Sequence, residues 1–461
     1  MSNKNLLSGR DKELQELAEQ YEAAMSENKP FYQDADELAD LADWYGTKKR
    51  YDKAFEIVEY GLKLHPDSTE LMIEYAYLHL DNGKQAKARE IIENLPDTYS
   101  PEAKVVRAHL LLSEGKLDDA EQLLDTIEDK ADLANVVDVS YMYLDMGYPD
   151  KALAWLDPVK EEYSDEEAYI AVVADCLYGK GMTEEAIPLY NRLIDMNPYS
   201  APYWFGLARC HFEEMNFNQA IDACDYALVG DDEFADAYVM KGHCFYQLGN
   251  EDAALECYQK AEQMHGLAPE FVYTYIGLCK VSKGEWEEGY ENLEKAIQAN
   301  EAEETPAPTL PSLYANAGLC LSKMKKKRKA HQYCKKAQKL EPKDPEAYLI
   351  EGRMYVEEGD YEKGIKQWAK ALNCAPSADT WNEIGMHSME IGYLDYAKIA
   401  FERVCELEPE FEGINEKLTV LYMTLHDKEN FIKYNQKCTR PFDLKELEKM
   451  QAMMENEDRE D

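Results

Sequence analysis

This chain lacks most of what would mark it as an enzyme or a membrane protein. No stretch approaches the roughly 18 consecutive apolar residues that a membrane span requires, so insertion into a bilayer is not expected. The eleven cysteines form no Cys-x2-Cys pair and the nine histidines no His-Glu-x-x-His pair. Metal centres need ligands converging in one small volume, so no metal site is expected. No phosphate-cradling glycine loop and no serine elbow occurs, and the many carboxylates fall on helix exteriors. We therefore assign no catalytic residue and no cofactor, and expect a protein that is not an enzyme.

Positive charge is also scarce. Lys and Arg total 50 against 92 Asp and Glu, a formal charge of −42. Such a field repels nucleic acid and anionic membranes while favouring partners with basic segments. The start from Met1 to Leu17 has no apolar signal core and turns charged at Arg10 and Asp11. A cytoplasmic location is expected on that ground, and eleven thiols without a pairing pattern suit a reducing compartment.

What the chain does have is a period. A small residue recurs near every 34 positions, at Ala54, Ala88, Ala120, Ala152, Ala186, Ala220, Ala254, Gly289, Ala330, Gly364 and Ala397. Self-similarity at this spacing means stacked supersecondary units rather than one globular core. In the sixth repeat Trp204, Leu207, Ala208 and His211 fall on one helical face, and Ala220, Cys224 and Ala227 on a second. Glycine closes the first helix elsewhere, as at Gly83, Gly115 and Gly249, because it enters the left-handed region at no steric cost. Proline follows many second helices, at Pro66, Pro198, Pro342, Pro376 and Pro409. Each repeat reads as helix, tight turn, helix, stop. Five cysteines (Cys176, Cys210, Cys244, Cys279 and Cys320) share one repeat position and read as small core fillers.

The pattern resembles the tetratricopeptide repeat (TPR) family. Its signature, Trp-x2-Leu-Gly-x2-Tyr, then Ala-x3-Phe, then Pro, is matched by Tyr348, Gly352, Tyr355, Gly364, Trp368 and Pro376 in the tenth repeat. The eleventh matches it with Trp381, Ile384, Gly385, Ala397, Phe401 and Pro409, although Ser388 replaces the tyrosine. Lys241 and Glu351 replace the leucine in the seventh and tenth. The resemblance covers residues 35 to 411. It implies an all-α fold, a right-handed superhelical solenoid of about eleven to twelve TPR helix-turn-helix repeats with capping helices at both ends.

The organisation expected is an N-terminal capping helix in 1–34, repeats one to eight in 35–302, and a Pro-rich linker loop at 303–310. Repeats nine to eleven follow in 311–411, then a degenerate repeat and C-terminal capping helix in 412–454, and an acidic disordered tail at 455–461.

The resemblance further implies that first helices line a concave groove that binds a peptide segment or helix of a partner. The positions so assigned are Tyr141, Tyr178, Phe205, Arg209, Phe212, Met240, His243, Tyr246, Phe271 and Tyr275. Asp36, Asp40, Asp43, Glu70 and Glu74 make the first two repeats acidic, suited to basic residues of the partner. The function expected is a non-enzymatic scaffold or adaptor. Two alternatives stand beside it. The groove is closed by the chain's own tail or a small ligand, or an acidic partner docks on the basic turn formed by Lys323, Lys325, Lys326, Lys327, Arg328 and Lys329. That turn reads equally as solvated charge balance.

Overall fold

The computed structural model describes residues 11–27, 29–264, 267–302 and 307–442. The expected capping helix beyond Asp443, the tail 455–461 and residues 303–306 of the loop lie outside these. The described residues are helical throughout, with no strand among them. The chain divides into two compact units, Met1–Val272 and Tyr273–Asp461, and the border falls inside the helix Pro269–Ser282.

A helix Asp11–Ser26 opens the first unit, burying Leu14, Ala18 and Tyr21. Seven helical hairpins follow, each a helix pair joined by a tight turn. Their first helices are Ala35–Thr47, Thr69–Asp81, Pro101–Ser113, Leu133–Asp145, Glu167–Gly179, Ala201–Glu213 and Ala235–Gln247. In the second unit Leu310–Lys323 pairs with Lys327–Leu340, Glu346–Glu357 with Tyr361–Cys374, and Ala378–Glu390 with Leu394–Leu407. A last hairpin joins Ile414–Thr424 to Lys428–Asn435.

The residues that punctuate the sequence terminate the helices. Gly83, Gly115, Gly147, Gly181, Gly249, Gly284, Gly359 and Gly392 all take positive φ at the hairpin turns. Lys49, Met215, Lys325 and His426 take the same conformation at equivalent turns without being glycine, at about 1–2 kcal/mol each. Second helices stop two residues before the marked prolines, at Leu64, Met196, Leu340, Cys374 and Leu407.

Repeats two to four differ. Their second helices, Gln85–Glu93, Leu117–Leu124 and Pro149–Leu156, run only eight or nine residues, and after the first two the spacing to the next repeat's alanine falls to 32. After Leu156 a 3-10 turn, Asp157–Val159, and a short helix, Lys160–Tyr163, precede the next repeat. Pro158, with no N–H to donate, sits in that turn, and the sequence pattern did not anticipate it.

Packing explains the small residues. The Ala at each repeat's midpoint from Ala54 to Ala254 is fully buried, so the two helices meet there. A Cβ on Gly242 would stand 2.6 Å from the Tyr258 ring, and one on Gly385 2.4 Å from Phe401. The seventh, tenth and eleventh repeats therefore lay an aromatic ring of one helix on a residue with no side chain in the other. In the sixth repeat the buried face is Tyr203, Leu207, Ala208 and Cys210, whereas Trp204 stacks on the exposed Tyr226 at 4.5 Å. The five repeated cysteines are all fully buried. Burial pushes Cys176, Cys244 and Cys320 up to about 12 and Cys210 to about 11, so these thiols stay protonated.

Curvature of the first unit follows from which helices touch. Neighbouring first helices pack on one another from Ala35–Thr47 through Ala235–Gln247, while neighbouring second helices do not pack to a comparable extent. First helices therefore line the inside of the bend. The bend brings the first repeat back to the seventh, where Lys48 and Lys49 meet Asp231 and Asp236.

Candidate protein-interaction face

One register organises the inside of the first unit. The residue eleven positions before each repeat's alanine is, in order, Asp43, Tyr77, His109, Tyr141, Asp175, Arg209 and His243. Residues one repeat apart sit side by side on adjacent first helices, so this register forms a ladder of polar and aromatic groups. Tyr77 and His109 rings lie 5.7 Å apart. The Tyr141 hydroxyl donates to Asp175 Oδ2 at 3.3 Å, and Arg209 Nη2 donates to Asp175 Oδ1 at 2.9 Å.

Around Arg209 the expected groove residues converge. Its guanidinium lies over the Tyr178 ring at 4.4 Å and the Phe205 ring at 5.5 Å, and Nη2 also reaches the Tyr190 hydroxyl at 3.3 Å. The Tyr190 hydroxyl donates to Asp175 at 2.6 Å, and burial first, then Asp175, drives its pKa far up. Arg209 is thus held by an internal partner, with its charge matched by Asp175. It presents a rigid aromatic and cationic plate rather than a loose side chain.

The remaining positions continue from that plate. Phe212 packs edge-on against Phe217 and lies 6.4 Å from His243. His243 Nδ1 is 2.7 Å from the Tyr258 hydroxyl and its ring 6.1 Å from Phe271. Burial lowers His243 to about 4, so the ring is neutral near pH 7. Met240 packs against the cluster containing Tyr203 and Leu207, and Tyr246 is half-buried near the end of its helix. All nine of these residues in the first unit are half-buried. Tyr275, the tenth, belongs to the second unit and is likewise half-buried.

At the amino-terminal end of the same face the structure opens a cavity of 270 Å³. The first helices of repeats one to four line it, and its walls include Asp36, Asp40, Asp43, Glu70, Glu74 and Tyr141. The sequence pattern missed Tyr77, His109, Asp138 and Asp145 among its lining residues. The register of the ladder supplies the first two, and Asp138 shares Glu74's offset from its repeat alanine.

The basic run of the second unit sits on the turn between Leu310–Lys323 and Lys327–Leu340. Lys323 donates to Glu357 at 2.8 Å, Lys327 stands 3.7 Å from Glu358, and Lys326 and Lys329 lie over the Tyr290 ring. Lys325 and Arg328 are exposed. Among the described residues no group of three or more His, Cys, Asp or Glu could hold a metal, and no helix is long and apolar enough to cross a membrane.

Fold and face together define an all-helical array of hairpin repeats with a polar and aromatic inner surface. The chain is a tetratricopeptide-repeat protein. The profile of that repeat matches residues 47–104 and 311–344, and the profile of anaphase-promoting complex, cyclosome, subunit 3 matches residues 179–261. Similar solved structures include the APC/C hetero-tetramer Cut9-Hcn1, at 13% identity over 84% of this chain and 90% of that chain, with a TM-score of 0.42. YrrB, a TPR protein with an unusual peptide-binding site, is 19% identical over 41% of this chain and 94% of its own, with a TM-score of 0.34. A tetratricopeptide repeat protein from Parabacteroides merdae ATCC 43184 is 15% identical over 53% of this chain and 93% of its own, with a TM-score of 0.42. No curated protein matches the chain. Repeats of this class make protein-interaction scaffolds, and that general description holds for this one.

Proposed function

We propose that this protein is a non-enzymatic scaffold that holds a peptide segment of a partner against the inner face of repeats four to seven. The observation that carries the reading is the plate formed by Tyr178, Phe205 and Arg209 with Asp175 behind it. Aromatic groups and arginine are enriched at the anchors of interfaces. Here their rotamers are set before a partner arrives, so little side-chain entropy is lost on binding. Phe212, His243 and Phe271 extend the same surface with uncharged rings.

Selection of phage-displayed peptides on the intact chain tests this reading. A peptide consensus enriched on the wild-type chain and lost on the Phe205→Ala, Tyr178→Ala double variant supports it. Equal enrichment on a double variant with an unchanged helical spectrum retires the site.

A further inference from the structure

We infer that the outer face of the helix Lys327–Leu340, in the second unit, docks an extended acidic segment of a partner protein. This second site lies beyond the proposed function, which concerns the inner face of the first unit.

Four cations carry it. Lys325 on the turn, and Arg328, Lys335 and Lys339 on the helix, are all exposed. Among the described residues none of these four side chains makes a hydrogen bond, an ion pair or a ring contact. Arg328, Lys335 and Lys339 stand seven and four residues apart, so on the helix they fall within about 20° of one line. Their neighbours are held from inside. Lys323 donates to Glu357, Lys329 to the Tyr290 hydroxyl, and Lys336 to Glu301 and the Tyr314 hydroxyl. The basic run therefore divides into cations matched internally and a stripe that is not.

Solvated charge balance does not account for that stripe. The first turn of a helix favours carboxylates, because the helix dipole leaves positive charge there. Second helices on both sides obey this rule, with Glu287 and Glu288 before, then Glu362 and Asp395 after. The helix Lys327–Leu340 has no acid in its first turn and carries Lys327, Arg328 and Lys329 instead. The positions equivalent to Arg328, Lys335 and Lys339 in the next repeat are Glu362, Ala369 and Asn373. Lys325 adds its own strain, taking a φ of 61° where the neighbouring repeats place Gly284 and Gly359. Cations set against the dipole and into a left-handed turn lower stability, and no carboxylate of this chain pairs with these four to offset it. A local rule broken without internal compensation marks a functional surface.

The chemistry of the occupant follows from the stripe. Carboxylates complement it, and the positive end of the helix adds to the same field. From Lys325 to Lys339 it runs roughly 20 Å, the reach of about six extended residues. Gln332 lies between Arg328 and Lys335, and the stripe holds no apolar row on which an amphipathic helix could seat. A membrane or a duplex would press its charge against the remainder of a chain that is −42 overall, whereas a short segment meets the stripe alone.

The probe is a fluorescein-labelled octaglutamate peptide, titrated into the full chain at low salt and followed by anisotropy. Saturable binding is expected, absent for octaglutamine and at least about threefold weaker when salt rises from about 0.05 to 0.3 M. The variant Lys325→Gly, Arg328→Gln, Lys335→Gln, Lys339→Gln should bind at least about fivefold more weakly, each lost pair accounting for about 1.5- to 5-fold. A control, Lys63→Gln, Lys84→Gln, Lys260→Gln, Lys428→Gln, removes four other exposed lysines and the same net charge. It should change binding less than about twofold. No saturable binding overturns the inference, as does equal binding of octaglutamine. Equal weakening in the two variants overturns it as well, because net charge is then the cause. Vesicles of phosphatidylserine and phosphatidylcholine that bind the wild-type chain but not the stripe variant would overturn the acidic segment in favour of a lipid surface. If the stripe variant loses its helical spectrum, Arg328→Gln with Lys339→Gln decides, and at least about twofold weakening is expected. Peptide selection at Tyr178 and Phe205 concerns the first unit, so either reading fails without the other.

Discussion

Lys49 Nζ lies 2.7 and 2.6 Å from the two carboxylate oxygens of Asp236, a residue 187 positions further along the chain. Beside it Lys48 Nζ stands 2.6 Å from Asp231, so the first repeat's turn is tied to the start of the seventh repeat. Two ion pairs thus close the bend of the first unit, and the inner face lies inside that closure.

Charge reversal at Lys48 and Lys49 should open this closure while barely changing stability. Partly exposed pairs contribute about 0.2–1 kcal/mol each, far less than the packed cores. The expected outcome is a longer and broader distance between non-cysteine spin labels at Asp52 and Asp232, restored when Asp231 and Asp236 are changed to lysine in the same chain. An unchanged distance would show that packing alone closes the bend. Lys49→Gly separates strain from attraction. The left-handed conformation costs a side chain about 1–2 kcal/mol, more than the pair returns, so this variant should melt at the same temperature or higher with the closure loosened.

In the second unit, Glu351 is fully buried and accepts from His331 at 3.0 Å, Gln338 at 2.7 Å and Gln367 at 2.8 Å. The hydrogen bond to Glu351 is the first cause holding His331 above the ordinary imidazole pKa, helped by Glu358 and opposed by burial. A folded-state value above the unfolded one makes this contribution complete below about pH 6.5, and lost as pH rises through the folded value. Hydrogen exchange in the helix Glu346–Glu357 should accelerate from pH 6 to 8 beyond its intrinsic rate. His331→Ala should remove that extra dependence and cost about 3 kcal/mol or more at pH 6, because Glu351 is left buried without its cation. Glu351→Leu, which restores the apolar residue of the repeat signature, should be better tolerated. Protection that follows the same pH course in His331→Ala would refute the assignment.

Acid should act in the opposite direction through three other histidines. Burial is the first cause lowering His109 and His243 in the first unit, and His387 in the second, each to about 4. Their folded values lie below the unfolded one, so the stability they contribute is present above about pH 6.5 and is lost as pH falls toward 4. For His109 this is on the order of 3 kcal/mol. Calorimetry at pH 5 in several buffers should show the chain with all three changed to glutamine taking up fewer protons on unfolding, by up to about three.

Gly352→Ala tests the ring-on-glycine packing. Its Cβ would stand 2.3 Å from Cδ1 of Trp368, a fully buried ring whose Nε1 also donates to the Leu349 carbonyl. Overpacking costs about 1–3 kcal/mol and the gain in helix propensity returns up to about 1. A net loss of about 1–2 kcal/mol is expected in urea unfolding. A neutral result would mean that Trp368 has room to retreat.

Much of the architecture was legible in the chain. The repeat alanines, the turn glycines and the prolines after second helices mark local events, because helix pairing between close neighbours depends on side chains within one repeat period. The short second helices of repeats two and three are visible in the spacing of 32, whereas the spacing of 34 after Ala152 hides that of repeat four. The added turn at Asp157–Tyr163 was not, because its residues carry no periodic apolar signal. Trp204 shows the limit of the pattern. It holds the signature position, yet it leans on Tyr226 near the surface while Tyr203 takes the core.

The sequence by itself determined an all-helical repeat array and placed the aromatic and acidic positions along the first helices. Each of those is a property of residues a few turns apart. Only the tertiary structure decided which charges are matched internally, and by which residues. Arg209 is matched by Asp175 one repeat away, and Lys49 by Asp236 six repeats away, while His109 reaches a cavity wall without a hydrogen-bond partner for Nδ1 among the described residues. The reason is curvature. The bend accumulates from small rotations at every repeat junction, so contacts between distant repeats are fixed by the whole stack and are written in no single stretch of the chain.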